Sequence, residues 1–112
     1  MGNQRTFKRF QLVTTFPVMD PAGVKQLGVV IDLSAEGLGV RVVEAMEPQR
    51  RYGLRVVLPE AIGGEHSVLL NTTCRWCRRS SNPDLFDAGF SLEEITPDIA
   101  ELIEQLIQRF GR

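Results

Sequence analysis

The chain of 112 residues carries 13 Lys and Arg against 14 Asp and Glu, a net charge of −1. That length suits one domain with one modest core, and 43% hydrophobic with 24% charged residues is an ordinary soluble composition. The near-neutral balance excludes a nucleic-acid binder that works by whole-molecule electrostatics. No apolar run reaches the ~18 residues of a membrane span, and the polar N-terminus lacks a signal-peptide core. A cytoplasmic protein without membrane insertion is therefore expected.

Residues 1–9 hold Arg5, Lys8 and Arg9 and no acid. With little apolar surface to bury, this stretch reads as a flexible basic arm, either a solvated tail or a clamp for an anion. From Phe10 the residues alternate, with Phe10, Leu12, Thr14 and Phe16 on one face, giving a first strand that ends near Pro17. After the Asp20-Pro21-Ala22-Gly23 turn signal, Lys25 to Leu33 makes a second strand with Val29, Ile31 and Leu33 toward the core.

Asp32-Leu33-Ser34-Ala35-Glu36-Gly37 connects the second strand to a third, Leu38 to Val43. Period-two alternation points Asp32 and Ser34 the same way, off the core. Gly37 can adopt φ > 0 or let a ligand approach the backbone. A plain side-chain-stabilised turn and a ligand site both fit these six residues.

Tyr52, Leu54, Val56 and Leu58 form the core face of a fourth strand ended by Pro59, before the loop Ala61-Ile62-Gly63-Gly64. A fifth strand, His66 to Arg79, places Val68, Leu70, Thr72, Cys74 and Trp76 on one side. Cys74 and Cys77 have C-x-x-C spacing, but a single histidine leaves zinc short of ligands. Three residues apart on a strand, the two sulfurs should diverge, so unpaired structural cysteines and no metal are expected. Phe86, Ala88, Phe90 and Leu92 are the core face of a sixth strand.

The last element changes period. Ile99, Leu102, Ile103, Leu106, Ile107 and Phe110 recur at helical spacing, with Thr96 as N-cap, Pro97 at N1, Asp98 in the first turn and Gly111 as the stop. The apolar stripe either packs on the strands or serves a partner. The fold expected is all-β: one domain over 1–112, with a six-stranded antiparallel barrel over 10–92 and a C-terminal helix over 96–110.

No Ser-His-Asp grouping, P-loop or dinucleotide glycine motif appears, so no catalytic residue is assigned and an enzyme is not expected. Binding is better supported. Arg5 and Arg9 stand four apart on the basic arm, and guanidinium groups both clamp phosphates and stack on flat bases. Asp32 can accept two hydrogen bonds from a guanine edge, and Ser34 can contact a phosphate or a base. Together these residues make a guanine-nucleotide recognition set.

Arg5-x-x-x-Arg9 followed by Asp32-x-Ser34-x-x-Gly37 resembles the two-part signature of PilZ domains, with Asp32 standing 23 positions after Arg9. The later strands are similar too, including Cys74-Arg75-Trp76 and Ala88-Gly89-Phe90 before the helix. The resemblance implies a PilZ-like β-barrel and a bacterial second-messenger receptor for cyclic di-GMP, with no other cofactor. It implies that Arg5 and Arg9 hold phosphates and stack on guanine, that Asp32 reads a guanine edge, that Ser34 adds a polar contact and that Gly37 shapes the turn. Trp76 is a further stacking candidate or a core residue. With no output domain of its own, such a chain signals through a protein partner by a change of shape, as a monomer or homodimer. Two alternatives stand beside this one. The first is a PilZ-like adaptor that binds no nucleotide. The second is a small nucleic-acid-binding barrel using Arg50, Arg51, Arg75, Arg78 and Arg79.

Overall fold

The computed structural model describes residues 8–112. Six strands run in chain order: β1 (Phe10–Met19), β2 (Gln26–Ser34), β3 (Gly37–Val42), β4 (Arg51–Ile62), β5 (Glu65–Arg79) and β6 (Phe86–Leu92). They close antiparallel in the order β1-β2-β3-β6-β5-β4, and the helix α1 (Pro97–Phe110) follows. The all-β barrel with a C-terminal helix is thus the architecture present. Among the described residues, no helix is long and apolar enough to cross a membrane.

Two strands outrun the prolines expected to end them. Pro17 lies inside β1 opposite Val29, just before the short stretch where β4 pairs with β1 at Val18 and Met19. A missing N–H is tolerated at such an edge position. Pro59 lies inside β4, where the β4–β5 register shifts between Val57 and Ile62. Pairing resumes at Ile62↔Glu65 around Gly63 and Gly64, whose φ values of +59° and +83° suit a tight two-residue hairpin turn.

Register shifts also redirect faces. The β2–β3 ladder shifts between Val30 and Asp32, so the buried residues are Val30 and Leu33 rather than Val29 and Ile31. In β5 the shift falls between Cys74 and Trp76. One extra residue inverts every face beyond it. Trp76 therefore turns outward, at 36% exposed, and Cys77 turns in beside the core cluster. The expected divergence of the two sulfurs is overturned by this bulge, although both cysteines are free.

The core runs from Phe16 and Val18 through Leu38, Val40, Leu54 and Phe90 to Ile103 and Leu106 of α1. Thr96 caps α1 by accepting from the Ile99 N–H at 3.2 Å. Gly111 ends it with extended backbone, φ −79°, instead of a left-handed turn. A Cβ there would meet the Ile107 carbonyl oxygen at 2.5 Å, so glycine is needed for close approach where Gly111 bridges to Leu12 of β1.

Candidate functional site

The outer wall of β2, β3, β6 and β5 carries the expected site residues in rows. Cross-strand pairing aligns Asp32 with Gly39, Gly39 with Gly89, and Gly89 with Trp76. The two glycines leave a floor without side chains. Asp32 covers one end: a Cβ on Gly39 would lie 2.7 Å from its carboxylate. Trp76 covers the other end: a Cβ on Gly89 would fall within 2.9 Å of three indole atoms. Four adjacent strands at ~4.8 Å spacing set these two backbone positions about 14 Å apart.

The next row is Ser34, Gly37, Ser91 and Thr73. Ser34 is buried, at 7% exposed, and its hydroxyl donates to the Gly37 carbonyl at 3.3 Å, which holds the turn. Gly37 is not there for a positive φ. A Cβ on it would meet the Phe90 carbonyl oxygen at 2.6 Å, so its glycine lets β6 pass close by.

On the opposite side of the glycine floor, Arg41 donates to both carboxylate oxygens of Asp87, at 2.8 and 3.3 Å. That hydrogen-bonded pair raises the pKa of Arg41 above its ordinary value. Arg78 pairs across from Asp87 and lies over the Trp76 ring, 4.8 Å from its centroid. The indole is therefore held between a guanidinium and the chain at Gly89.

Arg9 and Asp32 meet directly. The Arg9 Nη1 lies 2.6 Å from Asp32 Oδ1, with the arginine side chain half exposed and the aspartate 15% exposed. Arg9, Ser34, Gly37, Trp76 and Gly89 line one open groove of about 280 Å³. Arg5 lies outside the described residues.

Arg75 also lines the groove and was not among the residues picked from the motif. Its Nε donates to Ser91 Oγ at 2.8 Å and its Nη2 lies 3.6 Å from Glu93. Hydrogen bonding by the Thr73 hydroxyl, reinforced by Ser91 and the charges of Arg51 and Arg75, holds the Glu93 carboxyl below the usual glutamate range. Glu93 thus stays ionised and anchors Arg75. Two other arginines of the alternative basic patch are engaged locally: Arg50 with Glu47 at 3.1 Å, and Arg79 over Phe86 at 5.2 Å. Among the described residues, no group of three His, Cys, Asp or Glu could hold a metal ion.

The sequence matches the PilZ domain family over residues 3–109. The chain belongs to this family. Its fold is similar to the PilZ domain of YcgR from Escherichia coli, solved with c-di-GMP, at 15% identity and TM-score 0.71, covering 96% of this chain and 91% of that one. It is also similar to the Bacillus subtilis inhibitor of motility MotI, at 16% identity and TM-score 0.70, covering 96% of this chain and 51% of that one. The MrkH–c-di-GMP complex of K. pneumonia aligns at 10% identity and TM-score 0.72, covering 96% and 52%. This PilZ chain thus spans about half the length of MotI and MrkH. No curated protein matches the chain in sequence.

Proposed function

We propose that this PilZ domain is a cytoplasmic receptor for cyclic di-GMP that signals to a protein partner and catalyses nothing. The observation that carries the reading is the row Asp32–Gly39–Gly89–Trp76, in which a carboxylate lies over one glycine and an indole over the next, with Arg9 already at the carboxylate. Asp32 accepts from a guanine edge, Trp76 stacks on a base that takes the place of Arg78 over its ring, and Arg9 with Arg5 takes the phosphates. The YcgR and MrkH structures, both c-di-GMP complexes on the same fold, support the choice of ligand. Closure of Arg5 and Arg9 over a dianionic ligand is the change that a partner reads.

Isothermal titration calorimetry with cyclic di-GMP, GTP and cyclic AMP on wild type and Arg9→Ala tests this. Saturable binding of cyclic di-GMP alone, weakened in the variant by about 1.5–3 kcal/mol, is expected. No heat at hundreds of micromolar, a free energy of about −5 kcal/mol or weaker, would sink the receptor reading.

A further inference from the structure

The strand β5 is longer than its neighbour β6. Pairing with β6 begins at Thr72↔Leu92, while Glu65 to Leu70 pairs only with β4 among the described residues. The other edge of this segment is therefore an unpaired strand edge. Natural proteins blunt such edges with Lys, Pro or a bulge. Glu65-His66-Ser67-Val68-Leu69-Leu70 contains neither residue, the register shift beside it places its extra residues on β4, and Leu69 is 42% exposed.

A groove of about 530 Å³ lies between this segment and α1. Its apolar lining includes Val68, Leu69, Ile99 and Leu102, and its walls carry Glu65, Asp98 and Glu101. Among the described residues, none of these three carboxylates pairs with a cation. Arg55, also on the wall, is already held by the Pro21 carbonyl at 2.8 Å and Ser67 Oγ at 3.2 Å. An unpaired edge, an apolar trough and an acidic rim occur together. Along β5, Leu69 stands seven residues, about 23 Å at ~3.3 Å per residue, from Trp76, so the groove is separate from the Asp32 site.

We propose that this groove receives an extended cationic segment of a partner protein, which adds to the β5 edge as a further strand. Its backbone pairs with Glu65–Leu70, its alternate apolar side chains lie against Ile99 and Leu102, and its Lys or Arg residues face Glu65, Asp98 and Glu101. Charge selects the partner, and the strand edge supplies pairing that depends little on sequence. The inference does not rest on the nucleotide reading.

The test is a titration of the isotopically labelled chain, followed by NMR, with a short alternating Lys-Val peptide. Its Glu-Val counterpart and its fully N-methylated analogue, which has no backbone donor, serve as comparisons. The Lys-Val peptide should bind saturably, with amide shifts confined to 65–71 and 98–105. Its affinity should fall at least about fivefold in Glu101→Lys, an exposed helix position that leaves the fold intact. The other two peptides should not bind. Equal binding by either comparison peptide, shifts centred elsewhere, or an unchanged affinity in Glu101→Lys overturns the proposal. Concentration-dependent shifts at the same amides without peptide would assign the edge to a second copy of the chain and equally overturn it.

Discussion

Asp32 has two uses for one carboxylate. In the chain alone it holds Arg9 at 2.6 Å, and in the proposed complex it accepts from guanine. The Arg9 side chain is half exposed, so the ion pair contributes only ~0–1 kcal/mol to folding. Hydrogen bonds from a bound base to a charged acceptor are worth more, about 1.5–3 kcal/mol. Asp32→Ala should therefore weaken cyclic di-GMP binding roughly ten- to hundredfold while moving the unfolding free energy by less than about 1 kcal/mol. Calorimetry and urea denaturation on the same variant separate the two effects. A large loss of stability with intact binding would make Asp32 a structural residue. Arg9, Asp32 and Ser34 were legible in the sequence because the motif names them at fixed spacing. The floor was not, because Gly39 and Gly89 lie 50 positions apart and meet only through the β3–β6 register.

At the scale of the strand, the bulge in β5 decides what the site contains. Alternation alone places Trp76 with Cys74 on the core side, and one extra residue moves the indole onto the outer wall. Apolar periodicity records strands well but does not mark where a residue is inserted, so the six strands and the helix could be read and the faces beyond each bulge could not. Two measurements follow from the corrected faces. Trp76 is the sole tryptophan and lines the groove, so cyclic di-GMP should change the intrinsic fluorescence of wild type, and Arg9→Ala should need correspondingly more ligand for the same change. An unchanged spectrum at saturation would remove Trp76 from the site. The cysteines report the inward side. Cys74 is fully buried, and burial pushes its thiol above the usual range, so at pH 8 it is neutral and shielded. A thiol reagent should modify Cys77 first and reach Cys74 only as urea unfolds the chain. Modification of Cys77 in native buffer as fast as a fully exposed thiol would contradict the bulge.

Across the whole molecule Ile103 and Leu106 tie the helix into the barrel's core, while Ile99 and Leu102 of the same apolar stripe stay at the groove beside β5. Ile103 and Leu106 are 2% and 3% exposed within the same cluster as Phe16, Leu58 and Ile62. Phe110 meets Phe16 edge-on at 5.5 Å, and the chain beyond the helix bridges β1 at Leu12↔Gly111. Arg109 also reaches Glu60 of β4 at 3.1 Å, a surface contact of small weight beside that burial. Removing a buried leucine costs lost transfer energy plus the cavity left behind, so Leu106→Ala should destabilise by about 2–5 kcal/mol. Thr96→Ala loses only a cap, about 1 kcal/mol. Because α1 and the strands share one core, both variants should lower the urea midpoint of a single transition, with circular dichroism and Trp76 fluorescence coinciding and the slope unchanged. If Leu106→Ala instead unfolded the helix in a separate early transition while the strand signal kept its wild-type midpoint, α1 would be a detachable element. The groove beside β5 would then lose a wall that the folded barrel is expected to hold in place.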